Sequence, residues 1–372
     1  MFDVGTSVGF FLGANTPQGF CGYHHELYDG RDGWRAYLIK SGPGTGKSSL
    51  MKRILADLAS QGVETEALFC SSDPHSLDGV VVPSIQTVIF DATAPHILEP
   101  GYWGAVEQIV DLSSCMDGER LHKEYAAVIE ATDACSKAHA RCRRFMGAAA
   151  TLLGDNRRWA AICTDTDKIV RCAAGIAARE WGGKTGDVGK ETRRFLSALT
   201  PEGTVVFYET LQTLCPRLYA IEDEHGAAAG VLMAELRRLA LEAGWSVITC
   251  TCPLFPQEKI DHLLIPELGL GFTISNAYHR VDFPVYRRIH ATRFTDVKKL
   301  RETKQKLAFN RKAARELLHE AETAAVGAKE LHDKMEELSK SAVDWEKVNA
   351  LQEHMVTVFH DLVQRKKEEM DV

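Results

Sequence analysis

Apolar residues fall along this chain in three rhythms. The stretches Tyr37 to Ile39, Glu66 to Cys70 and Thr87 to Phe90 are short, largely apolar runs that stop at glycine-rich or acidic positions. Such runs predict strands buried on both faces of a sheet. Leu50, Ile54, Leu55 and Leu58 follow the first of them at helical spacing. Near the C-terminus Ala314, Leu317, Ala321, Ala324, Ala328, Leu331, Met335, Leu338, Ala342 and Trp345 alternate steps of three and four, a heptad seam. After a break near Ser339 to Asp344, the residues Val348, Leu351, Met355, Val358, Phe359 and Leu362 continue the pattern. The break predicts an antiparallel helical hairpin, in which a helix of about 40 residues would reach about 60 Å. A comparable helical stretch runs from Gly118 to Ala178, with a turn expected at Gly154-Asp155-Asn156.

The chain also repeats itself. FLGANTPQG from Phe11 to Gly19 lines up with FLSALTPEG from Phe195 to Gly203, 184 residues on. Arg35, Tyr37, Ile39, Gly44, Leu50 and Met51 meet Arg217, Tyr219, Ile221, Gly226, Leu232 and Met233 at a separation of 182. LDGVVVP from Leu77 to Pro83 meets IDHLLIP from Ile260 to Pro266 at 183, and His96 meets His279 at the same spacing. A drift of one or two residues over such a span marks a tandem duplication of one α/β unit.

Only the first copy carries an obvious chemical motif. WRAYLIKSGPGTGKSSLM, from Trp34 to Met51, has the strand, glycine-rich turn and helix order of a P-loop. Its cradle would comprise Ser41, Gly42, Pro43, Gly44, Thr45, Gly46, Lys47, Ser48 and Ser49. Backbone N–H groups around the glycines and the helix N-terminus suit phosphate oxygens. Lys47 would reach the β and γ phosphates, and the Ser48 hydroxyl would ligate Mg²⁺. Ser41 stands where the pattern has glycine. Asp91, at the end of an apolar strand, is the expected second metal ligand, and Asp73 is the expected group that orients the attacking water. In the second copy Lys47 becomes Ala229, Ser48 becomes Gly230, and Glu222, Asp223 and Glu224 gather at the mouth. Asp91 faces Ile274, and Asp73 faces Phe255 or Pro256. The carboxylates are thus missing where the lysine is missing. Asp78/Asp261 and His96/His279, present in both copies, are expected to serve the shared fold.

Charge and composition narrow the classes. The chain has 372 residues, 45% of them hydrophobic, and a net charge of −7, which excludes a disordered or collagen-like chain and a surface basic throughout. Nucleic acid is therefore not favoured as a partner; Arg141, Arg143, Arg144, Arg157 and Arg158 fit a solvated helix face. From Met1 to Thr16 there is no basic leader and only the short apolar stretch Val8 to Leu12, so a signal peptide or membrane span is not expected. Ten scattered cysteines then fit reduced thiols in the cytoplasm, and Cys250 and Cys252, lacking a matching pair, fit a half-buried strand.

FFLGANTPQGF, SGPGTGKSSLMKRI, CSSDPHSLDGVVVP and IFDATAPHILEPG together resemble a family of uncharacterised bacterial P-loop ATPases, found mainly in Firmicutes. The resemblance covers most of the chain and implies nucleotide binding at Gly42, Gly44, Gly46, Lys47 and Ser48, with Asp91 in the acidic strand-end position; it implies no established substrate. The expected architecture is α/β: two tandem three-layer P-loop units, residues 1–111 active and 191–283 degenerate, each followed by a helical hairpin, 112–190 and 284–372. The expected function is a Mg²⁺-dependent ATPase that couples nucleotide state to a protein partner through the hairpins. The alternatives are a small-molecule phosphotransferase and a scaffold that binds nucleotide without turnover. ATP is favoured over GTP because no guanine-reading motif is seen.

Overall fold

In the computed structural model, which describes residues 8–181 and 186–370, the first unit begins with β1 (Val8–Phe11) and a hairpin of β2 (Gly13–Thr16) and β3 (Gly19–Gly22). β4 (Arg35–Lys40), the glycine-rich loop, α1 (Lys47–Ser60), β5 (Glu66–Phe69), β6 (Leu77–Val82), β7 (Thr87–Asp91) and β8 (Glu107–Asp111) complete it. The leader expectation rests partly on residues 1–7, which lie outside the described residues. The sheet order is β1-β5-β6-β7-β4-β8, with β6 antiparallel to both its neighbours and the other pairs parallel. β4 lies between two parallel strands, which is why its interior is unbroken Ala36-Tyr37-Leu38-Ile39, all buried.

The first arm consists of α2 (Gly118–Lys123), α3 (Tyr125–Ile162) and α4 (Thr166–Glu180). The second unit follows with β9 (Glu191–Arg194), β10 (Ser197–Thr200), β11 (Gly203–Val206), α5 (Tyr208–Leu214), β12 (Arg217–Glu222), α6 (Ala227–Glu242), β13 (Val247–Cys252), β14 (Phe255–Ile265), β15 (Leu270–Ser275) and β16 (Arg287–His290). Its order, β9-β13-β14-β15-β12-β16, repeats the first sheet strand for strand and direction for direction. β16 pairs with β12, so the second α/β unit extends to His290 and does not stop at residue 283. The second arm is α7 (Val297–Arg301), α8 (Lys304–Lys340) and α9 (Trp345–Met370).

The duplicated units meet about an approximate two-fold axis. Phe11 and Phe195, equivalent residues, form an antiparallel bridge with each other, N to O 2.8 and 3.4 Å. Only symmetry of that kind lets a residue face its own counterpart.

The arms depart from the expected hairpins. α3 and α8 pair with each other along their length, burying Cys135, Cys142, Met146 and Ala149 with Ala314, Ala321, Ala325 and Ala328. α3 runs straight through Gly154-Asp155-Asn156, where a turn was expected. Asn156 explains this: buried in the α3–α8 seam, it donates to Leu307 O at 3.0 Å and accepts from Asn310 at 2.9 Å, which offsets the roughly 1 kcal/mol cost of a helical glycine. The chain turns instead at Cys163 to Asp165, where Asp165 caps α4.

The last helix of each arm then crosses to the opposite unit. α9 packs on α1, placing Val348, Met355, Phe359 and Val363 in the core of the first unit. α4 packs on α6, placing Ile169, Ala173 and Ile176 in the core of the second. Matching backbone bonds pin each crossing: Asp344 N to Cys115 O and Asp117 N to Ala342 O on one side, Asp165 N to Phe294 O and Asp296 N to Cys163 O on the other, all 2.7 to 2.8 Å. Among the described residues no helix is long and apolar enough to cross a membrane. β13 is more enclosed than the half-buried strand expected there, with Cys250 and Cys252 both buried.

Candidate functional site

β4 delivers the loop Ser41 to Gly46 to the C-terminal edge of the first sheet. Gly44 and Gly46 take φ of +72° and +90°, a region open to glycine, and Gly46 is the residue that launches α1. Ser41 is not in that region; Gln86 is the one non-glycine residue with positive φ among the described residues. A glycine is therefore not required at 41. None of the hydrogen bonds among the described residues uses the amides of Gly44, Gly46, Lys47 or Ser48 as donors, leaving a row of N–H groups at the helix N-terminus.

Lys47 reaches back across this loop. Its Nζ donates to Ser41 O at 3.0 Å, Gly42 O at 3.1 Å and Thr93 Oγ1 at 3.2 Å, and lies 3.1 Å from Asp91 Oδ2. Thr93, which sequence reasoning missed, holds the other carboxylate oxygen of Asp91 through its amide at 2.9 Å and its hydroxyl. Lys47 and Asp91 are thus brought together, as β4–β7 pairing puts Ile39 opposite Asp91. Pro43 is half-buried beside them, Thr45 is buried with its hydroxyl on Gly42 O at 3.0 Å, and Ser49 is exposed.

Asp73 sits apart from that pair, on the β5–β6 loop, accepting from His75 N and Ser76 Oγ, each at 3.1 Å. The same loop touches α1, because Leu77 N donates to Ser48 Oγ at 3.0 Å. Ser48 and Asp91 offer the hard oxygen donors that suit Mg²⁺, an ion that takes few protein ligands and keeps waters. Among the described residues no cluster of three or more His, Cys, Asp or Glu would build a dedicated metal cage.

A buried chain supports the loop behind Asp91. His96 Nε2 lies 3.2 Å from Asp78 Oδ2, and His96 Nδ1 lies 2.7 Å from His24 Nε2. Burial works against protonating His96, yet Asp78 outweighs it and raises the pKa. Burial, with His96 adding to it, drives His24 down to about 3. The pair recurs as Asp261 and His279 in the second unit, 3.8 Å apart.

The second arm closes over this corner. Gln352 of α9 donates to Gly46 O at 3.1 Å and accepts from Arg53 at 3.0 Å. Glu336 of α8 lies against Gly44, so closely that an added Cβ there would stand 2.7 Å from Glu336 O. Hydrogen bonding from His332 holds the Glu336 carboxyl down at about 2 against its partial burial, with help from Lys340. Lys329 Nζ lies 3.5 Å from Asp73 Oδ2. None of these arm residues carries a local motif; their signal lies in comparing the two arms position by position.

The equivalent loop of the second unit is already filled. The Asp223 carboxylate accepts from His225 N at 3.0 Å, Gly226 N at 2.9 Å and Ala229 N at 2.9 Å, taking the place an anion would have. Its flanking acids turn away, Glu222 to Arg288 at 3.0 Å and His290 at 2.6 Å, and Glu224 to Arg311 at 3.0 Å. Beside the loop the buried Lys259 and Asp261 pair at 2.7 Å. Burial opposes both charges, yet each holds the other ionised, Asp261 shifting down and Lys259 up. A partly open cavity of about 90 Å³ lies here, bounded by Arg157, His225, Phe255, Lys259 and His279, and not at Lys47.

Compared with protein-family models, with curated proteins and with solved structures, the chain finds no match in any of the three.

Proposed function

We propose that the protein is a cytoplasmic Mg²⁺-dependent ATPase of P-loop type, with one nucleotide site in the first unit. The observation that carries this reading is the contrast between two equivalent loops in one molecule. Among the described residues the amides of Gly44, Gly46, Lys47 and Ser48 have no protein acceptor, whereas around Ala229 the equivalent loop's amides are taken by Asp223. A carboxylate that occupies one cradle indicates that the other suits an anion of phosphate type. Asp91 now balances Lys47 at 3.1 Å, so a triphosphate entering the cradle would exchange one anionic partner of Lys47 for another. The motif resemblance to bacterial P-loop ATPases supports the same reading, and ten free thiols support a reducing compartment.

In this reading the loop amides and Lys47 bind and orient the phosphates, and Asp73 orients the attacking water. Mg²⁺, held by Ser48 and Asp91, would offset charge on the β and γ oxygens. The second unit is a twin that binds no nucleotide, and its arm, seated on Gly44 and Gly46, couples the site to a protein partner.

The test is phosphate release and nucleotide binding by the purified protein with Mg²⁺-ATP. Lys47→Ala should abolish both, and Asp73→Asn should lower release by about 100-fold or more with binding retained. Wild-type protein that binds ATP and releases no phosphate would replace hydrolysis by a nucleotide-gated scaffold, and protein that binds no nucleotide would overturn the reading outright.

A further inference from the structure

The two arms align as the units do, 179 residues apart. Cys135, Cys142, Met146, Ala149, Asn156 and Ala160 correspond to Ala314, Ala321, Ala325, Ala328, Met335 and Ser339, and all twelve are buried. The chemistry of the two arms is less alike than their burial: Ala150 of α3 becomes Lys329 of α8, Gly154 becomes Asp333, Asn156 becomes Met335 and Arg157 becomes Glu336. Because the arms cross over, α3 lies by the loop filled by Asp223, where Arg157 and Leu153 border its cavity. α8 lies over the loop of Lys47. A lysine at this position is therefore present only on the arm that faces the unit retaining Lys47, Asp73 and Asp91, while the other arm carries Arg157 beside its own cavity.

Its placement fits that correlation. Lys329 Nζ stands 3.5 Å from Asp73 and 2.6 and 2.9 Å from the two oxygens of Asp333. Two turns along α8, Glu336 touches Gly44, so about 10 Å of one helix spans from the tip of the glycine-rich loop to Asp73. The loop that carries Asp73 also bonds Ser48 through Leu77 N. A partly exposed ion pair of this kind adds little to stability, and Asp333 already satisfies the ammonium. Stability alone gives no reason for a lysine at this position.

We propose that Lys329 is a catalytic cation supplied in cis by the second arm, which leaves Asp73 to contact the terminal phosphate of the bound triphosphate. The inference rests on the ATPase reading. In the reaction a water oxygen bonds to the γ-phosphorus while the bond from that phosphorus to the bridging oxygen breaks, its electron pair going to the β-phosphate. The water proton passes by way of Asp73 to solvent, giving ADP and phosphate. Lys329 stabilises the charge on the γ-oxygens during that exchange, and its departure frees Asp73 for the water.

The experiment measures phosphate release and the affinities for ATP and ADP, both with Mg²⁺, in wild type, Lys329→Ala, Lys329→Arg and Lys47→Ala. Lys329→Ala, which copies the residue of the other arm, should lower release by about 100-fold or more. It should also weaken ATP by about tenfold relative to ADP, since only ATP has the γ-phosphate. ADP affinity should stay within about twofold, and Lys329→Arg should restore most of the release. Release and ATP-to-ADP preference unchanged in Lys329→Ala, beside a clear loss in Lys47→Ala, would overturn the catalytic role of Lys329 and leave the ATPase reading standing. Equal loss of ATP and ADP binding would overturn it as well, assigning Lys329 to arm docking. No binding by folded wild type would end both readings together.

Discussion

A methyl group added at Gly44 strains the loop and meets the arm at once. Gly44 has φ +72°, and an L-residue there costs about 1 to 2 kcal/mol. The new Cβ would stand 2.7 Å from Glu336 O, 2.9 Å from its Cα and 3.1 Å from its Cβ. Two of these atoms are helix backbone and cannot rotate away, so α8 must shift, at the roughly 1 to 3 kcal/mol typical of overpacking. Gly44→Ala should thus lose roughly 2 to 5 kcal/mol. Gly42 is the control: its φ is not positive and a Cβ there meets nothing within 4 Å, so Gly42→Ala should change stability by no more than about 0.5 kcal/mol. Denaturant midpoints compare the two variants, and hydrogen exchange of amides 329–340 reports whether the end of α8 lifts from the loop. Equal midpoints with unchanged protection of α8 would refute the seating of the arm on the glycine-rich loop.

Two further outcomes follow from the buried charges. Asp223→Ala removes the acceptor of three amides and should cost about 1 to 3 kcal/mol in a thermal or denaturant melt, without creating nucleotide binding in a Lys47→Ala background; unchanged stability would show the loop is held otherwise. Acid should destabilise the fold before the carboxylates titrate: burial pushes His24 and His262 down to about 3, and His139, His225 and His279 also downward. Their stabilisation is complete above the unfolded value near 6.5 and is lost as pH falls towards the folded values, about 2 kcal/mol for each of the first two by pH 5. His96, raised by Asp78, contributes with the opposite sign, losing its share as pH climbs above its folded value. A melting temperature that is flat from pH 7 to 5 would contradict this balance, and His262→Asn should flatten part of the slope.

Much of the site was legible locally. The Ala36 to Ile39 run, the glycines at 44 and 46 and the helix from Lys47 are decided within about twenty residues by burial on both sheet faces and by the dihedrals glycine permits. Asp91 was legible as the acidic end of an apolar run, and the β4–β7 register then puts it opposite Ile39. Thr93 had no such signal; a threonine after a strand is ordinary until β7 lies beside β4. Asp223 was legible as an added negative charge, but its entry into the loop as an internal anion depends on Gly226 at φ +71° turning the amides towards it.

The internal repeat determined, without any coordinates, that one strand order would be built twice, because equal patterns of burial and turns at equal spacing fold alike. The heptad seam determined that α8 needs a close partner. Which partner it takes was left to the tertiary structure, since Ala314, Ala321 and Ala328 present a small-residue surface that any close-fitting helix can cover. The two-fold contact at Phe11 and Phe195 brings α3 within reach of α8, and Asn156 and Asn310 fix their register. The short turns at Cys163 to Asp165 and Ser341 to Asp344 then carry α4 and α9 to opposite units. The meeting of Glu336 and Gln352 with a loop some 300 residues earlier, and of Lys329 with Asp73, follows from that exchange alone, as the free energy that selects it comes from apolar faces meeting across the whole molecule and not from any neighbouring residues in the chain.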